Sequence, residues 1–241
     1  MRHSFRYKKY SFSYRVMAGI AAASLYAVAA ISGADPALIK ARNQQNLQAL
    51  DAIIARDKQA ASTPDGQYKL ALAYSYAAEV AMELRDKKRS QGYAVTGLDI
   101  AKKAVAGNES NAEYHRLLGA MCGQVIPANP LLGALSYGNC ARDEIDKAIS
   151  LDPKNALAYV SRGVGNYYLP AQMGGGVDPA LKDLDKAISL DPKLGDAYLW
   201  KGVVLHKANR NAEARQAFTE ALKLEPDRIW AKQQLDKTPA Q

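Results

Sequence analysis

The sequence predicts an all-α fold, a solenoid of antiparallel helix pairs, on three observations. The nonapeptide DKAISLDPK occurs at Asp146–Lys154 and again 39 residues later at Asp185–Lys193, and the related LKLEPD brings a further proline 34 residues beyond, at Pro226. From Asp35 onward, apolar residues recur at the i, i+3, i+4, i+7 spacing of one helix face. Alternating β-branched runs are absent from the sequence, and Gly or Pro punctuates the helical stretches. A unit that recurs in this way cannot bury its apolar face alone, so neighbouring units stack.

The first 34 residues stand apart. They carry Arg2, Arg6, Lys8, Lys9 and Arg15 and no acidic residue. The apolar run Val16–Ile31 follows, then Ser32, Gly33 and Ala34. A basic stretch, an apolar stretch and a small-residue cut site make a secretory signal, with cleavage after Ala29 or Ala34. An uncleaved membrane anchor over residues 16–34 is the alternative, because the run approaches the ~17 residues needed to span a bilayer. Either way the chain is expected to be exported, periplasmic or secreted. The segment also accounts for most of the formal charge of +8: without it, 27 basic face 24 acidic side chains, a net of +3. That balance excludes a phosphate-binding surface and a nucleic-acid partner.

After the signal, residues 35–66 are expected to hold one N-terminal helix, Pro36 to Ala61, capping a solenoid over residues 67–237. Tyr68 to Arg85 reads as a strong amphipathic helix, and Gly92 to Ala106 as its partner in a degenerate unit. The clearest repeats are 112–153, 156–194 and 195–228, about four units in all, two of them with inter-helix insertions. Asp227 to Lys237 reads as a terminal helix in which Ile229 and Trp230 cover the last apolar surface.

The final repeat carries a specific pattern. Counting from Gly195, Tyr198 is position 4, Gly202 position 8, Leu205 position 11, Ala214 position 20, Phe218 position 24, Ala221 position 27 and Pro226 position 32. Small residues let helices approach, large ones fill the space between them, and the proline stops the second helix. This closely resembles the tetratricopeptide repeat (TPR) family. The unit before fits with Tyr159, Gly163, Ala180, Leu184, Ala187 and Pro192 and five extra residues between its helices. An earlier one fits with Leu118, Gly119, Ala141, Ala148 and Pro153 and an inter-helix loop ten residues longer. The chain resembles bacterial exported TPR proteins in particular. Its loop YYLPAQMGGGVDPAL is similar to one in the periplasmic TPR component associated with TRAP transporters.

The TPR resemblance implies a non-catalytic protein-interaction module whose first helices line a concave groove. The groove positions carry over as Glu113, Arg116, Ala120, Gly123 and Gln124, then Leu157, Val160, Val164, Tyr167 and Tyr168, then Asp196, Leu199, Val203, His206 and Lys207. Arg116, Val160, Val164, Tyr167, Tyr168, Leu199, Val203 and His206 are the expected contacts for a peptide or protein segment. The bland alternative is that they pack against the N-terminal helix or the insertions. The lysine and asparagine clamp of chaperone-tail receptors does not occur at these positions. The other function class is a periplasmic transporter accessory that docks a solute receptor or carries a small apolar ligand at the Tyr167–Gly176 loop.

No catalytic, cofactor or metal motif emerges. His115 and His206 lie on first helices without a histidine or cysteine at ligand spacing, and Met173–Pro179 reads as an inter-helix turn with Asp178 at the N-cap and Pro179 at N1. Cys122 and Cys140 are the only cysteines. In an exported chain they form either a disulfide or two small buried hydrophobes. N-terminal sequencing of protein recovered outside the cytoplasm is expected to begin at Ala30 or Asp35. Intact Met1 in the membrane fraction would establish the anchor instead.

Overall fold

A computed structural model describes residues 35–126 and 130–240. The signal or anchor expected over residues 1–34 lies outside the described residues. Within the described residues eleven α-helices follow one another: α1 (Pro36–Asn43), α2 (Leu47–Lys58), α3 (Pro64–Glu83), α4 (Lys87–Gly107), α5 (Ala112–Val125), α6 (Pro130–Leu151), α7 (Ala156–Tyr168), α8 (Val177–Leu190), α9 (Gly195–Lys207), α10 (Asn211–Leu224) and α11 (Ile229–Lys237). The described residues contain no strand. The odd-numbered helices α3, α5, α7 and α9 pack in series, and each pairs with the helix that follows it. This is the TPR solenoid that the repeat pattern implies.

The N-terminal helix corrects the sequence reading. Pro36 to Ala61 is not one helix but two, broken at Gln45 with φ 51°. The same turn recurs at Arg85 (φ 64°) and Asn209 (φ 59°). In each the amide five residues past a helical carbonyl closes the helix end: Asn46 N to Ala41 O at 2.8 Å, Asp86 N to Ala81 O at 2.8 Å, Arg210 N to Leu205 O at 2.9 Å. These bonds make a Schellman end in which a non-glycine residue takes the left-handed conformation at a cost of about 1–2 kcal/mol. The helix pair α1–α2 therefore has the same connection as α3–α4 and α9–α10. Asn46 and Asp86 then cap the next helix, accepting from Ala49 N and Arg89 N at 3.0 Å.

The repeated nonapeptide has one local structure in both copies. Asp152 Oδ1 accepts from Lys154 N at 3.0 Å, and Asp191 Oδ1 from Lys193 N at 2.9 Å. The hydroxyls of Tyr159 and Tyr198, both at position 4, donate to the carbonyls of Pro153 and Pro192 at 3.3 Å. Each tyrosine thus fastens its helix to the end of the preceding unit. Ala148 and Ala187 are fully buried against these joints.

Three further elements differ from their expected form. The ten extra residues of the 112–153 unit are not a loop alone: they lengthen α6 to 22 residues, with Pro130 opening the helix where its missing N–H costs nothing. Helix α4 starts at Lys87 rather than Gly92, because Asp86 caps it. Helix α8 starts at Val177 with Gly176 (φ 116°) as its N-cap, so Asp178 lies in the first turn and is not the cap.

Glycines at position 8 bring each pair together. A Cβ on Gly119 would stand 2.7 Å from Ile145 Cγ1, one on Gly163 3.0 Å from Leu184 Cγ, and one on Gly202 2.5 Å from Phe218 Cε1. Gly202→Leu is therefore expected to destabilise the fold by about 1–3 kcal/mol through overpacking, read as a lower urea midpoint. An unchanged midpoint would contradict this helix contact.

Candidate functional site

The expected groove is largely closed. Arg116, Val160, Val164 and Leu199 are at most 1 % exposed. Val160 and Val164 belong to the main core together with Leu38 of α1, while Leu199 packs with Leu205, Ala214 and Phe218. Tyr167, Tyr168, Val203 and His206 are partly buried. The Tyr167 and Tyr168 rings meet edge to face at 4.7 Å, and Tyr168 meets Trp200 at 6.5 Å. His206 Nδ1 lies 3.1 Å from Asn211 Oδ1. The four buried side chains are thus interior groups and not open contacts, a correction to the groove reading.

Buried charge explains the closure. Arg42, at the end of α1, holds Glu79 of α3 through Nε (2.9 Å) and Nη2 (3.0 Å), and Asp196 of α9 through Nη2 at 2.8 and 2.9 Å. Its guanidinium also stacks 5.0 Å from the Tyr76 ring centroid. Arg228, before α11, donates to Glu79 at 2.6 Å and to Glu83 at 2.5 Å. Gln45 reaches Glu83 at 2.9 Å and Gln233 at 3.2 Å, and Asn43 reaches Glu225 at 3.4 Å. The Trp230 ring meets Trp200 at a tilt of 59°, centroids 5.3 Å apart. The start of the array (α1, α3) is thereby joined to its end (α9, α11), across 154 residues in the Arg42–Asp196 pair. Burial pushes the Glu79 carboxyl up to about 8, against the pull of Arg42 and Arg228. Burial, with the charge of Asp196 beside it, pushes Glu225 up to about 7.

A cleft opens at the inter-repeat turns beside the filled groove positions. It holds about 670 Å³ and is lined by Tyr68, Glu113, Tyr114, Leu157 and Leu194, with Asp65, Asp152, Lys154 and Asp191 among its rim residues. It lies where α3, α5 and α7 begin. Tyr68 and Tyr114 stack at 5.1 Å. Glu113 is held by Arg116 Nε at 2.7 Å and by Asn155 Nδ2 at 2.8 Å, and accepts from the Tyr68 hydroxyl at 3.4 Å. Position counting found Glu113 and Leu157. Tyr68, Tyr114 and Leu194 were missed, because they sit at a degenerate unit, at the third helical residue of α5 and at an inter-repeat turn. In the Tyr167–Gly176 loop, the expected ligand site of a transporter accessory, backbone hydrogen bonds fold the chain back on the end of α7. Gly176 N donates to Asn166 O at 2.8 Å and Met173 N to Pro170 O at 2.9 Å.

The cysteines resolve to the bridged alternative: Cys122 of α5 is bonded to Cys140 of α6, with Cα atoms 6.0 Å apart. His115 fastens the same two helices, with Nδ1 2.6 Å from Glu144 Oε2 and Nε2 2.8 Å from the Glu109 carbonyl.

Residues 34–174 match the model of a family described as regulator of microtubule dynamics protein 1–3, more than half of the chain. The chain belongs to that family. Residues 195–228 match the tetratricopeptide repeat model. Among relatives, regulator of microtubule dynamics protein 3 of Bos taurus is 31 % identical over 102 residues, 42 % of this chain and 21 % of the relative. The Rattus norvegicus protein of the same name is 28 % identical over 122 residues, 50 % of this chain and 25 % of the relative. The chain thus spans no more than a quarter of the length of these two relatives. A solved thermophilic TPR protein from Thermus thermophilus superposes with a TM-score of 0.60 at 19 % identity, covering 78 % of this chain and 92 % of that one, a likeness of fold.

These boundaries bear on the charge network. Arg42, Glu79 and Glu83 fall in the segment matching the regulator of microtubule dynamics family, whereas Asp196, Glu225 and Arg228 fall in the TPR segment. The buried ions join the two. Arg42→Ala leaves Glu79 and Asp196 buried without their shared partner and is expected to cost about 3–5 kcal/mol, measured by urea unfolding. A loss below about 1 kcal/mol, the scale of an exposed pair, would show that the network does not hold the ends together.

Proposed function

We propose that the chain is an exported, non-catalytic scaffold that holds a segment of a partner protein in the cleft between Tyr68 and Leu194. The observation that carries this reading is the cleft itself, which opens at the inter-repeat turns beside groove positions that are filled. Its volume lies in the range of about 300–1,000 Å³ typical of ligand sites. Its chemistry describes the segment it suits. The stacked rings of Tyr68 and Tyr114, beside Leu157, take an apolar or aromatic anchor, the kind of residue that carries most of the energy in such contacts. The rim, with Asp65, Asp152 and Asp191 against Lys154, favours a basic residue beside that anchor.

The Cys122–Cys140 disulfide supports export, since such bonds persist in oxidising compartments and are rare in the cytosol. The relatives' name makes polymerised tubulin a candidate partner. Tubulin and export are competing readings, because an exported chain does not meet tubulin, and the disulfide weighs toward export.

A photo-crosslinking side chain placed at Lys154, on the cleft rim, is expected to capture a protein from the exported fraction. The same group at Lys103, exposed on α4, is expected to capture far less. Capture from position 103 alone would move the site to the outer helices. Co-sedimentation with microtubules, together with retention in the cytosol, would replace the exported partner with tubulin.

A further inference from the structure

The buried network holds more negative than positive charge. Among its described members, the guanidiniums of Arg42 and Arg228 face the carboxyls of Glu79, Glu83, Asp196 and Glu225. Glu79 accepts from both arginines, Asp196 accepts from Nη2 of Arg42, and Glu83 takes Arg228. Glu225 is left with one weak donor, Asn43 Nδ2 at 3.4 Å to Oε2. Its other oxygen, Oε1, is buried without a hydrogen-bond partner, and so is Asn43 Oδ1. Both atoms are acceptors if Glu225 is ionised. A single proton on Glu225 removes one negative charge and supplies a donor at the contact with Asn43 that joins α1 to the end of α10. Glu225 Oε1 also sits against the first residue of α9, since a Cβ on Gly195 would lie 2.5 Å from it.

We propose that Glu225 and Asn43 form a proton-operated latch: the protonated carboxyl keeps the two ends of the array joined over the concave face, and loss of that proton parts them.

Burial and Asp196 favour the protonated Glu225, while Arg42, Arg228 and Asn43 pull against it. Arg42 and Asn43 come from α1, Asp196 lies in the first turn of α9, and Arg228 precedes α11, with Glu79 and Glu83 of α3 sharing the two arginines. Ionising Glu225 adds a negative charge to a set in which Glu79, Glu83 and Asp196 already share two cations. Burial and Asp196 hold the Glu225 carboxyl up at about 7, against an ordinary value of 4.5. The closed form binds the proton more tightly than the open one, so its advantage is complete below the ordinary value. It is lost as pH rises through about 7. Glu79 is raised further, to about 8, yet both its oxygens accept from arginines whereas Glu225 Oε1 has no donor, and on that geometry the surplus proton is assigned to Glu225. The latch deepens the scaffold reading by giving the concave face a covered and an open state. Its test needs no partner, so failure of the latch and failure of the cleft can be told apart.

Trp200 and Trp230 are the only tryptophans in the chain, and both lie at this junction, with Trp200 1 % exposed. Acrylamide quenching of the full chain should therefore rise several-fold, with a midpoint near 7, on raising pH to about 8.5, short of the phenol range near ~10. The far-UV circular dichroism should keep its helical signal throughout. In Glu225→Gln the amide donates permanently, so quenching should stay low across the range. If that variant does not fold, Asn43→Asp sets a second carboxyl beside Glu225 and should move the midpoint upward by about 1 pH unit or more. A flat profile in the parent, a parent-like titration in Glu225→Gln, an unmoved midpoint in Asn43→Asp, or quenching that rises only as helix is lost would each overturn the latch.

Discussion

The meeting of Arg42 with Glu79 and Asp196 is the contact on which the rest of the structure depends. A solenoid has no intrinsic reason to touch its own end, because each unit packs only on its neighbours. Here a guanidinium from the first helix is fully buried between carboxylates of α3 and α9, and it cannot stay there unpaired. Desolvating such ions costs several kcal/mol apiece, and well-packed apolar side chains often serve stability as well or better. What the ions add is specificity of place. Glu79 and Asp196 accept Arg42 at fixed distances, and so they set which turn of α1 lies against which turn of α9. The aromatic run of Tyr168, Trp200 and Trp230 then fills the space this leaves between α7, α9 and α11.

Much of the fold was legible because helix pairing is a local matter. Position 8 glycines, position 4 tyrosines and the prolines after each second helix all act within one repeat of their neighbours. The break at Gln45 was not legible, since the left-handed conformation there is adopted by a residue with no preference for it. The extension of α6 was hidden for a related reason: spacing shows that residues are inserted but not whether they continue a helix. The cysteine pair was legible as two alternatives, and antiparallel packing of α5 and α6 selected one of them.

The site was less legible than the fold. Repeat position tells which way a side chain projects from its helix, and for Glu113 and Leu157 that was enough to reach the cleft. It does not tell whether the concave face is free. Covering that face takes Arg42, Asp196 and Arg228 together, and no local pattern links residues so far apart. Asp196 gave a hint, a carboxylate at a groove position beside Leu199 and Val203. The cleft also depends on the stack of Tyr68 on Tyr114, which joins the degenerate unit to the first clear one.

The duplicated nonapeptide has a consequence for how the chain finds its fold. Two identical helix ends, each with the same aspartate turn and the same tyrosine fastening, are locally interchangeable, so a chain registering one against the other's slot meets no immediate penalty. The residues just beyond decide the matter. Asn155 caps α7 and donates to Glu113, whereas Leu194 at the equivalent place is wholly buried. A slipped chain would put an amide into a dry hydrocarbon site and leave a leucine where a polar cap belongs. Proofreading of repeat order therefore falls to two side chains outside the repeated sequence.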